Sequence, residues 1–92
     1  MEVTHEQLET KGSFYIAPDK ERLAEMTYSK AGASMIIIDH TEISEQLRGQ
    51  GVGKKLVLAA VDWARESNKR VLPLCPFAKS VFNKTPEIRD VL

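Results

Sequence analysis

The sequence predicts an α/β domain whose mixed sheet begins as an antiparallel meander and continues through a strand–helix–strand crossover to a short C-terminal helix. Three observations carry this. Two short turn sequences separate the first three apolar runs, the third run lacks alternation, and a glycine cluster opens a segment of helical period. Gly12 to Ala17 gathers aromatic and branched residues and stops at Pro18-Asp19-Lys20, where proline presets a turn dihedral, so it reads as the first strand. Leu23 to Ser29 alternates, with Ala24, Met26 and Tyr28 on one face and Glu25, Thr27 and Ser29 on the other, as an antiparallel partner would. Lys30-Ala31-Gly32 turns the chain, and Ala33 to His40 follows around Ile36-Ile37-Ile38, an unalternating run that reads as buried on both faces.

Thr41 to Leu47 shows no period, and Gly49-Gln50-Gly51-Val52-Gly53 is too rich in glycine for a helix interior, so this stretch reads as a loop meeting a helix start. From Val52, the positions Leu56, Ala59, Ala60, Trp63 and Ser67 step by three or four, while Lys54, Lys55, Asp62, Arg65 and Glu66 form an outer face. Ser67-Asn68-Lys69 ends the helix, asparagine tolerating the left-handed backbone that follows many helices, and Arg70 to Leu74 reads as a fourth strand. Pro76 to Lys84 predicts a second helix, because proline costs nothing at a first helical position and Pro86 blocks continuation. Glu87 to Leu92 reads as a tail or brief strand, and Met1 to Lys11 as a polar, partly frayed segment.

Ninety-two residues, 42% apolar and 28% charged, suit one soluble globular domain spanning residues 1–92. Thirteen basic and 13 acidic residues cancel, so no overall field exists to hold nucleic acid or an anionic membrane, and any anion site must be local. The apolar run Met35 to Ile38 is far shorter than the roughly 20 residues a spanning helix needs. The start Met1-Glu2-Val3 lacks the basic and apolar stretches of a secretory signal, and Cys75 is the single cysteine, excluding an internal disulfide. A cytoplasmic protein without a metal site is expected. The charged outer helix face leaves no broad apolar stripe, so a monomer is expected too.

The glycine cluster admits several readings. A P-loop requires four residues between its glycines and Ser or Thr after the lysine, whereas Gly49 and Gly53 bracket three and Lys55 follows Lys54. A dinucleotide fingerprint needs its third glycine one position later. What remains is an uncapped helix start flanked by Arg48 and Lys54, suited to a pyrophosphate, or a tight turn that needs glycine only for its dihedrals.

Arg48-Gly49-Gln50-Gly51-Val52-Gly53 is similar to the Arg/Gln-x-x-Gly-x-Gly/Ala motif of the GNAT superfamily of N-acetyltransferases. His40 to Ile43, Leu47 to Leu56 and Leu74-Cys75-Pro76-Phe77 together resemble the miniature, single-domain GNAT-like acetyltransferases over most of the chain. The resemblance implies a GNAT-like sheet in which the strands ending at His40 and Leu74 run parallel and splay apart. It implies acetyl-CoA as cofactor, its pyrophosphate held by Arg48, Gly49, Gln50, Gly51, Val52, Gly53 and Lys54, and its pantetheine arm along the backbone of about Asp39 to Ile43. It implies acetyl transfer to an amine that no motif identifies.

Two parallel strands joined by a crossover helix place their carboxyl ends on one sheet edge, where open α/β sheets bind ligands. His40 and Cys75 fall there and are the candidate catalytic residues, expected to face one cleft. A helix start at Pro76 would lower the Cys75 pKa toward a nucleophilic thiolate, while the alternative is a small buried hydrophobe. His40 would serve as a base or merely cap hydrogen bonds. The carboxylates Asp39, Glu42, Glu45 and Glu87 have no special spacing. The chain departs from the family pattern where relatives carry a tyrosine on the last helix and a His-Pro-Glu-Tyr ending. Val81-Phe82 and Thr85-Pro86-Glu87-Ile88 stand there instead, removing the phenol that would protonate departing CoA. The alternative function is therefore a CoA-binding or protein-interaction module of the same fold that performs little or no chemistry.

Overall fold

One five-stranded sheet in the order β1-β2-β3-β4-β5 organises the protein, described over residues 2–92 by a computed structural model. Its strands are β1 (Thr4–Gln7), β2 (Lys11–Ile16), β3 (Ala24–Lys30), β4 (Met35–Ile43) and β5 (Arg70–Pro73). The first four pair antiparallel, and β4 with β5 pairs parallel through the crossover helix α1 (Val52–Glu66). Helix α2 (Pro76–Lys84) spans the residues the two flanking prolines predict. The expectation for Met1 lies outside the described residues, but the fraying expected up to Lys11 is not found. Thr4–Gln7 pairs with Gly12–Tyr15, so the meander has one strand more than the sequence reading allowed.

Alternation selects one face of each strand for the core. Ala24, Met26 and Tyr28 are buried on β3, Ile36 and Ile38 on β4, and Val71 on β5. Both helices cover this face, so β4 is not enclosed on both sides as its unbroken Ile36-Ile37-Ile38 run predicts. Ile37 is half-buried and its partner Leu72 is 42% exposed. Helix α1 buries Leu56, Val57, Ala60, Val61 and Ala64, each large aliphatic side chain contributing about 1.5–3 kcal/mol. The buried stripe is rotated from the expected one: Ala59 and Trp63 sit at its margin and Ser67 is exposed. The helix ends as read. Asn68 takes φ 56°, and the Lys69 N–H reaches back to the Ala64 carbonyl at 2.8 Å.

The C-terminal residues form neither a tail nor a strand. Pro86–Val91 is a 3-10 helix that buries Ile88 and Val91. The Arg65 guanidinium grips Asp90 through two bonds of 3.0 and 2.7 Å and donates a third to the Glu87 carbonyl at 2.9 Å, docking this segment on α1. Among the described residues no helix is long and apolar enough to cross a membrane.

An aromatic cluster closes the other end of the sheet. His5 stacks on Phe14 with ring centroids 4.0 Å apart, meets the edge of Trp63, and its Nε2 lies 2.6 Å from the Tyr28 hydroxyl. Tyr28 crosses β2 at Gly12, where a Cβ would overlap both the phenol and the Glu6 carbonyl. Gly12→Ala is therefore expected to destabilise the fold by roughly 1–3 kcal/mol in urea unfolding, the range for overpacking. Burial and then the charge of Lys30 hold the His5 imidazole below its ordinary value of 6.5. The folded state thus binds fewer protons than the unfolded chain just below pH 6.5, and stability declines as pH falls through that window. His5→Phe should flatten that part of a stability-versus-pH curve.

Candidate functional site

The parallel ladder is short. It runs from Met35 opposite Arg70 to Ile38 opposite Pro73, one residue before the strand end the sequence suggests. Pro73 is out of phase with the donors Arg70 and Leu74, so its missing N–H falls on the open edge of β5 and costs no bond to β4. Leu74 and Cys75 then both donate their backbone N–H to the Ile38 carbonyl at 3.1 Å, and the chain turns away into α2. Strand β4 continues to Ile43, past the expected end at His40, held on its other side by β3 as far as the Ala24–Ile43 pair. The edge of β4 over residues 39–43 that faces β5 therefore has no strand beside it.

A bulge accompanies this divergence. Tyr28 lies opposite Ile38 but Thr27 lies opposite His40, leaving Asp39 as the extra residue. The bulge restores phase so that Thr41 and Ile43 share the helix-covered face with Ile36 and Ile38, while His40 and Glu42 share the other.

Beyond Ile43 the chain forms a 3-10 turn, Glu45–Leu47, whose Leu47 plugs into the core. Gly49 (φ 81°) and Gly51 (φ 71°) then adopt left-handed conformations that side chains resist. Gly51 caps α1 without a side chain, and the first turn of α1 holds no acidic residue. The N–H groups of Val52, Gly53 and Lys54 thus have no partner within the helix and carry its positive dipole end. Gly53 is required for a different reason: the Phe77 ring from α2 rests where its Cβ would be.

Between this loop and α2 lies a cavity of about 560 Å³. Arg48, Gly49, Gly51, Val52, Gly53 and Lys54 line it, six of the seven positions the sequence nominates for the pyrophosphate, with Thr41 and Ile43 from the segment nominated for the pantetheine arm. Gln50 does not. Its side-chain amide donates to the Gln46 carbonyl at 3.1 Å, bracing the loop from outside. The sequence reading missed Leu47 and the wall supplied by α2, where Phe77, Ser80, Val81 and Lys84 recur at helical spacing. That spacing was legible, but which neighbour this face meets was not. Among the described residues lining the cavity the only charges are Arg48, Lys54 and Lys84, and none of the three takes part in an ion pair. A protein of zero net charge has concentrated positive charge in one hollow.

The two candidate catalytic residues do not meet. His40 is exposed on the uncovered sheet face and borders a separate concavity of about 500 Å³ with Thr27, Ser29 and Asp39. Cys75 is buried on the opposite face, its Sγ 3.4 Å from the Thr41 hydroxyl, so Thr41 stands between the thiol and the main cavity. The single cleft expected for both is corrected by the bulge, which points His40 away. Burial raises the Cys75 pKa, but hydrogen bonding by the Thr41 hydroxyl and the N–H groups of Ala78 and Phe77 outweighs it and leaves the thiol below its ordinary value. Of the carboxylates, Asp39 accepts a bond from the Ser29 hydroxyl at 2.8 Å, and Glu42, Glu45 and Glu87 are exposed. None lines the main cavity. Val81 does line it, whereas Phe82 is core.

Comparison with known proteins agrees with this architecture. The profile of the GCN5-related N-acetyl-transferase family matches residues 13–91. A GCN5-like protein from Staphylococcus aureus, solved by NMR, is 45% identical with a TM-score of 0.74, the match covering 96% of this chain and 85% of that one. An aminoglycoside N-acetyltransferase solved with CoA shares the fold at 14% identity and a TM-score of 0.59, over 84% of this chain and 67% of its own. Protein NATD1 of Bos taurus is 29% identical over 63 residues, 68% of this chain, and the match spans only 56% of that protein. With its splayed parallel strands, glycine-rich helix start and family match over most of its length, the chain belongs to the GCN5-related N-acetyltransferases.

Proposed function

We propose that the protein binds acetyl-CoA in the 560 Å³ cavity and transfers the acetyl group to an amine. The observation that carries this reading is the acid-free hollow at the bare start of α1, which opens onto the unpaired edge of β4. The chemistry of the lining fits the cofactor along its length. The N–H groups of residues 52–54, with Arg48 and Lys54, would hold the pyrophosphate. The amide-bearing pantetheine arm would add to the free edge of β4 over residues 39–43, against Ile43, Leu47 and Val81. The structure of a family member in complex with CoA supports the choice of ligand.

When bound, acetyl-CoA supplies a thioester whose carbonyl carbon the amine attacks, the C–S bond breaking and CoA leaving as thiolate. The protein's own contribution is chiefly to fix the donor in place. Cys75 and Thr41 sit where β4 and β5 part, and the Thr41 hydroxyl, which accepts from the Cys75 thiol, would contact the acyl end. We assign Cys75 a place directly behind the pocket wall, as the support of Thr41 rather than an acyl carrier, because Thr41 separates it from the cavity. His40 lies across the sheet and has no part in binding the donor. The absence of a phenol on the α2 wall favours a second reading, a module that binds CoA and transfers nothing.

Isothermal titration is expected to show acetyl-CoA binding, and an amine panel to release free CoA. Binding without release by any amine would establish the module instead. Gly51→Val forces a branched side chain into a left-handed backbone and projects it into open space at the helix start. Acetyl-CoA affinity should fall at least about tenfold in the folded variant, the equivalent of roughly 1.4 kcal/mol. Unchanged affinity would remove the pyrophosphate assignment. For Cys75, CoA should slow iodoacetamide labelling while intact-mass spectrometry shows no acetylated protein after mixing with acetyl-CoA. A single acetyl adduct lost in Cys75→Ala would instead make the thiol a nucleophile.

A further inference from the structure

Beyond the loop, one charged residue of the cavity remains without a task. Lys84 reaches the hollow from α2, the wall facing the glycine-rich loop, with Ser80 one turn before it on the same helix face. A lysine in the last turn of a helix ordinarily serves its own terminus by meeting the free carbonyls and the negative dipole end. Here that work is done by other groups. The Arg89 guanidinium donates to the Phe82 carbonyl at 2.9 Å and also to the Asn83 carbonyl, and the Thr85 N–H closes on Phe82. Lys84 is exposed, forms no ion pair among the described residues, and lines the cavity.

The charges of CoA divide in a matching way. Its pyrophosphate and its 3′-phosphate are separate anionic groups on opposite sides of one ribose, the second a near-dianion at neutral pH with three acceptor oxygens. The bare start of α1 with Arg48 and Lys54 accounts for the first. We propose that Lys84, assisted by the Ser80 hydroxyl, binds the 3′-phosphate, so that the protein discriminates CoA from dephospho-CoA. This rests on the cofactor reading above and adds to it a specificity-determining residue on a second element. No covalent step is involved. Lysine suits the task as a mobile point charge with three donors, and the hydroxyl supplies a fourth donor from the turn below.

The experiment is calorimetric titration of CoA and dephospho-CoA into the wild type, Lys84→Ala, Lys84→Arg and Lys55→Ala. Lys55 lies on the exposed face of α1 outside the cavity, so its variant removes the same charge without touching the site. The wild type is expected to favour CoA by about tenfold or more, as one charge-assisted hydrogen bond allows. Lys84→Ala should lose most of that ratio by weakening CoA alone, while Lys84→Arg and Lys55→Ala keep it. Equal affinity of the wild type for the two ligands, or a ratio that Lys84→Ala leaves intact, overturns this assignment while leaving the cofactor reading standing. Failure of the wild type to bind either ligand overturns both.

Discussion

The Ile38 carbonyl accepts two backbone N–H groups, from Leu74 and Cys75, and the arrangement of the whole site depends on that shared acceptor. In a regular parallel ladder each successive carbonyl would take one donor and β5 would advance beside β4. Because one oxygen is used twice, the chain pivots instead of advancing. The pivot leaves residues 39–43 of β4 without a neighbour, makes Cys75 the residue that precedes α2, and sets that helix beside the start of α1. Pro76, the next residue in phase with the donors Arg70 and Leu74, has no N–H with which to resume the ladder.

The bulge at Asp39 complements the pivot from the other side of β4. Without it, strict alternation from Ile36 and Ile38 would put His40 under the helices and turn Thr41 outward. With it, Thr41 faces the cavity and bonds the Cys75 thiol, while His40 and Asp39 face the uncovered sheet surface. One extra residue thus decides which polar groups share a compartment. It also separates the thiol, held below its ordinary pKa, from the imidazole that a shared sheet edge suggested as its companion.

Much of the fold was legible because local chemistry and tertiary packing agree. Pro76 and Pro86 bracket α2, Gly51 and Asn68 punctuate α1, and the alternation of Ala24, Met26 and Tyr28 gives the buried face of β3. The failures share a cause, which is that the deciding partner is distant in the chain. Thr4–Gln7 is polar and becomes a strand by pairing with β2 and offering His5 to an aromatic cluster that includes Trp63. Pro86–Val91 has no period of its own and docks through Arg65, whose spacing marks it only as part of a solvated face. In the site, the loop from Arg48 to Lys54 was readable as a motif and residues 39–43 as the strand end leading to it, with Gln50 alone of the loop turned from the cavity. The wall from α2 was not, since its role arises only where Phe77 meets Gly53.

That contact between Phe77 and Gly53 bears on the entropy of ligand capture. The ring fills the space a side chain on Gly53 would occupy, so the first turn of α1 and the start of α2 are wedged together before any ligand arrives. A glycine-rich loop is ordinarily floppy, and ordering it on association would consume part of the interaction energy. Here Leu47 is plugged into the core on one side and Phe77 pressed against the helix on the other, so the intervening glycines are held near their final shape by folding itself. The donors of residues 52–54 form a preorganised cradle, and an incoming anion need surrender little more than its own freedom and its water.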